Sequence, residues 1–340
     1  MNRTSPPPLL SATHVVFHPP ADRRLLKIGA ANVVRAFDTL VIGPCRRDPA
    51  EHARARRAWW HTAREFDRLY KPKTRWEPPI VVWVAASIAE RVNLWRTCSW
   101  LRGRGIATRD VSIIELDPTP FSNIPAEPPP PFDGISSVAH HPDTVLVERL
   151  RSARPWPTAR YDRAVRLWDQ FVDSDPSHFV RSCTRGVDGF PELAPLWTFL
   201  SAFLPRRTDR GVLCLSRFDE LLLTVLSDEW MTPLDVYVHK SQAGDELQQW
   251  FLATGDLFTD YRLAQWAQHA SAAVERGPGP KPPGHPMLSS AYRLTDAGKR
   301  LRNDGLQQLS DAPALSIAGI EAYAPSSPWV VAEAGRLLRL

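Results

Sequence analysis

The run Ile80-Val-Val-Trp-Val-Ala85 constrains this chain more than any other segment. Its residues are all apolar, mostly β-branched or aromatic, with no polar alternation. That pattern fits a strand covered on both faces, and such strands belong to parallel sheets flanked by helices. Just downstream, Ser87-Ile-Ala-Glu90 has the spacing of a capping box and predicts a helix to about Arg102, with Ile88, Val92, Trp95 and Ser99 at helical intervals. Upstream, His14–Phe17 reads as a strand, Asp22–Phe37 as a helix, Thr39–Ile42 as a strand ended by Gly43-Pro44, and Pro49–Tyr70 as a polar, basic helix. Val111–Leu116 supplies a further strand. Alternation of this kind over residues 1–117 implies a Rossmann-like parallel α/β domain.

Residues 118–131 hold seven prolines, ending in Pro128-Pro-Pro-Pro131. Proline fixes φ and removes the amide donor, so this segment cannot join a sheet. It marks a linker over 118–141. From residue 142 to 340 the pattern is mainly helical, with helices expected at Tyr161–Val172, Ser177–Thr184 and Leu193–Leu204, one capped by Ser216, and one capped by Asp256 that runs to about Ala273. Tyr292-Arg-Leu-Thr-Asp-Ala-Gly-Lys-Arg-Leu301 reads as strand, Thr295 cap and helix. With the helices before it, this predicts a winged-helix-like unit over about 214–305. In that unit 256–273 takes the recognition-helix place and 277–290 the wing.

Charge is divided unevenly. Residues 1–110 hold 20 Lys+Arg against 9 Asp+Glu, and the other 230 residues hold 22 against 28. An anionic partner would therefore meet the N-terminal part. The expected recognition helix sets Asp256 and Asp260 against Arg262 alone, the wrong balance for phosphate contact. That unit is expected to pack or to meet protein rather than to read DNA.

Three kinds of site are open on sequence grounds. In Arg54–Trp76, cations interleave with aromatic residues, and Arg54, Arg56, Arg57, Trp59, Trp60, Arg64, Lys71, Lys73 and Arg75 form a candidate nucleic-acid surface. The plain alternative is a helix with aromatics on the sheet and arginines in solvent. The carboxyl-end mouth of the sheet gives a small-ligand candidate at His18, Gly43, Ser87, Glu90 and Asp117. No GxGxxG or GxxxxGK[ST] run is present, so no cofactor is assigned. His140-His141 beside Asp143 reads as an exposed loop, and Cys45, Cys98, Cys183 and Cys214 as buried thiols, with no metal site expected. The N-terminus lacks an apolar signal core and no run of about 18 apolar residues occurs, so no membrane span is expected and a cytoplasmic location is.

The segments Thr13-His-Val-Val-Phe17, Asp38-Thr-Leu-Val-Ile-Gly-Pro44, Arg57-Ala-Trp-Trp60 and Val82-Trp-Val-Ala-Ala-Ser-Ile-Ala-Glu90 resemble the bacterial family called domain of unknown function 1835. Leu215-Ser-Arg-Phe-Asp219, Gly255-Asp256, Tyr292–Gly298 and the tail from Ser316 to Trp329 are similar to the helical region that accompanies that family. The resemblance implies fold and organisation more than activity. Family members follow the first strand with a Gly-Asp-Ser turn, whereas this chain has His18-Pro19-Pro20. If the family turn holds an anion, the prolines delete donors and weaken that site.

The sequence thus favours a binding or regulatory protein whose basic N-terminal domain meets an anionic partner, nucleic acid among the candidates. The alternatives are an enzyme or small-ligand protein with a phosphorylated or nucleotide ligand at the sheet mouth, and a protein–protein scaffold.

Overall fold

The computed structural model describes residues 9–36, 38–59, 76–117, 137–255, 257–282, 285, 287–332 and 335–340. Strand β1 (Thr13–Val16) leads through α1 (Pro19–Lys27) to β2 (Asn32–Arg35), followed by β3 (Gly43–Pro44) and α2 (Pro49–Trp59). Then come β4 (Ile80–Val84), α3 (Ile88–Gly103) and β5 (Val111–Glu115). The order β2-β1-β4-β5 forms a four-stranded sheet, parallel throughout. The α/β architecture with a parallel sheet expected from the Ile80–Ala85 run is present.

Register explains the burial. His14 lies opposite Val81 and Trp83 opposite Ile114, so Val16, Val81, Trp83 and Ile114 share one face. Against it pack Ala21 and Leu25 of α1, with Leu146 and Leu150 of α4 (Asp143–Ser152). Each such Val or Leu contributes roughly 1.5–3 kcal/mol by leaving water. On the other side α3 packs on β4 and on α5 (Thr158–Phe171). Trp83 brings a polar atom into this core and finds a partner for it. Its Nε1–H donates to His14 Nδ1 at 3.0 Å, while His14 Nε2 meets the Leu9 carbonyl at 3.0 Å. That pairing requires the tautomer protonated on Nε2, and burial lowers the His14 pKa.

Several expected elements differ. The helix over Asp22–Phe37 ends at Lys27, because Gly29 turns the chain with φ +98° and Asn32-Val-Val-Arg35 then pairs with β1. Two β-branched residues favour that extended pairing over helix. Thr39–Ile42 is not a strand; the Leu40 amide closes a tight turn on the Asp38 carbonyl. Gly43, with φ +78°, enters a different sheet, in the order β11 (Ile320–Ala322), β10 (Leu315–Ala318), β3. The Pro49–Tyr70 helix is described as far as Trp59.

The chain divides into two compact units. The first holds 1–40, 44–173 and 187–192; the second holds 41–43, 174–186 and 193–340. The proline-rich segment lies outside the described residues. The division between units falls after α5, so α4 and α5 belong with the parallel sheet rather than with the C-terminal elements.

The second unit mixes helices with sheets. It contains α6 (Ser177–Arg185), α7 (Leu193–Ser201), β6 (Arg206–Arg207), β7 (Leu213–Cys214), α8 (Arg217–Val225), α9 (Pro233–Tyr237), α10 (Gln242–Thr254) and α11 (Leu257–Gln268). Hairpin β8 (Val274–Pro278) and β9 (Ser290–Leu294) precedes α12 (Asp296–Asp304). Strands β10 (Leu315–Ala318), β11 (Ile320–Ala322), β12 (Trp329–Ala332) and β13 (Leu337–Arg339) close the chain, with a sheet of order β13-β12-β6-β7. Ser216 and Thr295 cap α8 and α12 as expected, accepting from the Asp219 and Gly298 amides. Asp256 lies outside the described residues. No helix among the described residues is long and apolar enough to cross a membrane.

Asp219 and Arg262 hold this unit together. Both side chains are fully buried. Arg262 Nε and Nη2 donate to the two Asp219 oxygens at 2.8 and 2.7 Å. Trp266 Nε1, Ser216 Oγ and Tyr323 Oη also donate to Asp219, at 2.9, 3.0 and 2.8 Å. Arg262 Nη1 reaches the Pro313 carbonyl at 2.9 Å. Burial alone would raise the Asp219 pKa, but Arg262 and these donors hold it below the ordinary carboxylate value. Removing one partner of such a pair strands a charge. Asp219→Ala should cost about 3–5 kcal/mol in urea unfolding, and the double variant Asp219→Leu/Arg262→Met should recover much of that loss. A double variant no more stable than the single would count against the stranded charge as the cause.

Candidate active-site region at the sheet mouth

The strand order reverses between β1 and β4, and in open α/β sheets ligands sit beyond the carboxyl ends at such a point. β1 ends into His18 and β4 into Ala85-Ala86-Ser87, so the mouth is built by these two turns. His18 is the residue before α1, which begins with Pro19 and Pro20; its side chain makes no capping bond. Ser87 caps α3 by accepting from the Glu90 amide at 3.2 Å. The Glu90 carboxylate does not reach back to the Ser87 amide, as a full capping box would require. Instead Oε2 accepts from the Ala85 amide at 2.7 Å. One half of the expected motif is structural, and the other half turns the acid toward the mouth.

Glu90 is 3% exposed. Oε1 makes no hydrogen bond of good geometry, although Ser137 and the Val138 amide lie near enough to influence it. Burial pushes the carboxyl up to about 7, against the Ala85 amide and Arg91, which pull it down. It is therefore a carboxyl group that changes protonation near neutrality, at the carboxyl end of a parallel strand. Such perturbed groups cluster at functional sites.

A third wall comes from residues 137–141. Ser137 accepts from the Ala139 amide at 3.2 Å. Arg24 of α1 donates to the Ala139 and His141 carbonyls, both at 3.2 Å, and pairs with Asp143 at 3.0 Å. These contacts place the His140 ring 6.4 Å from that of His18. Burial, and then His140, lowers the His18 pKa; burial and His140 also lower that of His141. The expectation of an exposed His140-His141 loop holds for His140 alone, since His141 is 5% exposed. No three-member His, Cys, Asp or Glu group suited to a metal ion occurs among the described residues.

His18, Ser87 and Glu90 thus share the mouth. Gly43 does not, because its segment pairs with β10 rather than with the parallel sheet. Asp117 lies beyond β5, exposed and paired with Arg149 at 2.7 Å. Sequence reasoning missed Ser137 and the Val138 amide. Both come from a segment that the proline run separated from the sheet on paper.

The candidate nucleic-acid surface is divided by burial. Arg54 and Arg57 are exposed. Arg56 is not available to phosphate, because it is fully buried and donates Nε and Nη2 to Asp38 at 2.8 and 2.6 Å. Trp59 is half-buried with the Arg56 guanidinium 5.0 Å from its ring. Trp60, Arg64, Lys71, Lys73 and Arg75 lie outside the described residues. Many N-terminal cations are matched by acids from later in the same unit: Lys27 with Asp143 at 2.6 Å, Arg47 with Asp169 at 3.1 Å, Arg91 with Glu115 at 2.5 Å, and Arg102 with Asp162. The unit as a whole holds 26 Lys+Arg against 20 Asp+Glu.

Glu90 should reveal itself in stability before any ligand is known. Unfolded, it ionises near 4.5, and folded near 7, so stability falls as pH rises through that window. The total loss is about 3 kcal/mol above pH 7. Glu90→Gln lacks this term, so urea unfolding should show the variant gaining on the wild type between pH 5 and pH 8. An equal difference at both pH values would refute the raised acid. No protein-family model matches the chain, and no curated protein matches it.

Proposed function

We propose that the α/β unit is a binding module for a small, neutral, hydrogen-bonding molecule, such as a nucleoside or sugar, seated at the carboxyl ends of β1 and β4. The observation that carries this reading is Glu90, a buried carboxyl whose Oε1 is short of partners at the strand-order reversal. Protonated below pH 7, it can donate to a ligand oxygen, and the turn after β1 adds His18, with the His140 ring 6.4 Å from it. The charge pattern favours a neutral ligand over the phosphorylated one expected from sequence. Arg24, Arg35, Arg91 and Arg149 are each engaged by a carboxylate. The resemblance to family 1835 is compatible with a ligand site after the first strand, altered here by Pro19 and Pro20.

A second reading keeps the anionic partner and moves it to the exposed Arg54 and Arg57, which share a helix face at i, i+3. For the C-terminal unit we infer a winged-helix-like arrangement. Its support is the order α8, α9, α11, the β8–β9 hairpin and α12, with Met231 bridged to Tyr292. That arrangement serves packing or protein contact. Arg262, the arginine of α11, is buried on Asp219, and Asp260 accepts from Tyr292 Oη at 2.7 Å.

A thermal-shift panel of nucleosides, sugars and their phosphates should yield a neutral ligand that raises Tm, as any ligand binding only the folded state must. Its affinity should fall as pH passes 7, lose that dependence in Glu90→Gln and vanish in Glu90→Ala. Tighter binding of the phosphorylated form that Glu90→Ala abolishes, or a neutral ligand indifferent to Glu90→Ala, would reject the reading. For the second reading, single-stranded DNA should bind in a salt-dependent way and weaken in Arg54→Glu/Arg57→Glu; binding that this pair leaves unchanged would exclude those arginines.

A further inference from the structure

The second unit contains a cleft of about 390 Å³, inside the range of roughly 300–1,000 Å³ typical of small-ligand sites. One wall is a single face of α6, presenting Val180, Arg181 and Thr184. The other is the β12–β13 hairpin, presenting Trp329, Arg336 and Leu337. Val180, Leu337 and the half-buried Trp329 indole make the interior apolar, and Arg181 and Arg336 are exposed.

Neither guanidinium is paired with a carboxylate among the described residues, although ion pairs are common elsewhere in this chain. Arg181 Nη2 donates to His178 Nδ1 at 2.9 Å. That bond orients the arginine without neutralising it. The nearest acid in sequence, Asp175, is turned to the Ser177 amide at 2.9 Å. No carboxylate among the described residues lines the cleft.

Both walls are anchored. Gly335 turns the hairpin with φ +76°, and its carbonyl accepts from Trp197 Nε1 at 3.1 Å. β12 pairs with β6 through Val331 and Arg206. Arg339 lies 5.7 Å from the Trp329 ring centre and supports the indole. The cleft is therefore a fixed slot with an apolar interior, an aromatic wall and two guanidinium groups that no carboxylate among the described residues neutralises.

We propose that this cleft binds a small aromatic anion, with a planar ring against Trp329 and a carboxylate or phosphate on Arg181 and Arg336. A flat ring suits an indole wall, and guanidinium forks recognise carboxylate and phosphate oxygens in pairs. The proposal is independent of the sheet mouth, which offers a buried acid and no free arginine.

The test is calorimetric titration of the full chain with benzoate, 4-hydroxybenzoate, AMP, adenosine and inorganic phosphate. At least one aromatic anion should bind, and more tightly than adenosine or phosphate alone. Preference for AMP would assign the phosphate and preference for a benzoate the carboxylate. Arg181→Glu and Arg336→Glu, both exposed positions, should each weaken binding by about tenfold or more, equivalent to 1.4 kcal/mol. Trp329→Leu should weaken it as well, with circular dichroism confirming the fold. Arg300→Glu on α12 should leave it unchanged. Absence of binding by every aromatic anion at millimolar concentration, or binding indifferent to both arginine variants, would overturn the site.

Discussion

A charge can be taken out of water only where partners meet it in fixed directions, and each unit of this chain contains such a case. Asp219 joins α8 to Arg262 and Trp266 of α11, and to Tyr323 beyond β11. Apolar contact is non-directional and would tolerate sliding. A carboxylate with five donors would not, so the placing of α8, α11 and the terminal strands follows from one side chain. In the first unit, Asp38 and Arg56 do the same for the turn after β2 and helix α2, with the Arg56 Nη2 also on the Thr39 carbonyl at 3.1 Å. Asn93 of α3 extends that network by donating to the Asp38 carbonyl at 2.7 Å.

Glu90 presents the same problem with a different outcome. It is as deeply buried as Asp219, yet it receives a single hydrogen bond of good geometry, from Ala85. Where Asp219 stays ionised because Arg262 faces it, burial pushes Glu90 up to about 7, and the Ala85 amide and Arg91, itself engaged by Glu115, offset that only in part. A fully matched buried charge serves architecture, and the contrast with Glu90 is what supports the ligand site proposed at the sheet mouth.

The parallel sheet was legible because the signal is local: the Ile80–Ala85 run and the Ser87 cap need no distant information. The helix over Asp22–Phe37 misread a short segment in which Gly29 and two valines break the pattern, a signal present but outweighed by the flanking apolar spacing. Arg56 was illegible as a buried residue, since its partner lies 18 residues away and helix α2 otherwise looks solvated. Ser137 and the Val138 amide could not be placed at the mouth at all. Their position depends on how the chain returns after the proline-rich segment, and the long-range contacts from Arg24 to Ala139 and His141 decide it.

The membership of α4 and α5 in the first unit bears on how this protein is cut for study. Ending a fragment at Asp117, where the proline-rich segment begins, removes two covers at once. The face carrying Val16, Trp83 and Ile114 loses Leu146 and Leu150. Lys27, Arg47 and Arg102 lose Asp143, Asp169 and Asp162. Such a fragment would be adhesive and strongly basic for reasons unrelated to its biology. Its affinity for DNA would report missing counter-ions, not a binding surface of the intact chain.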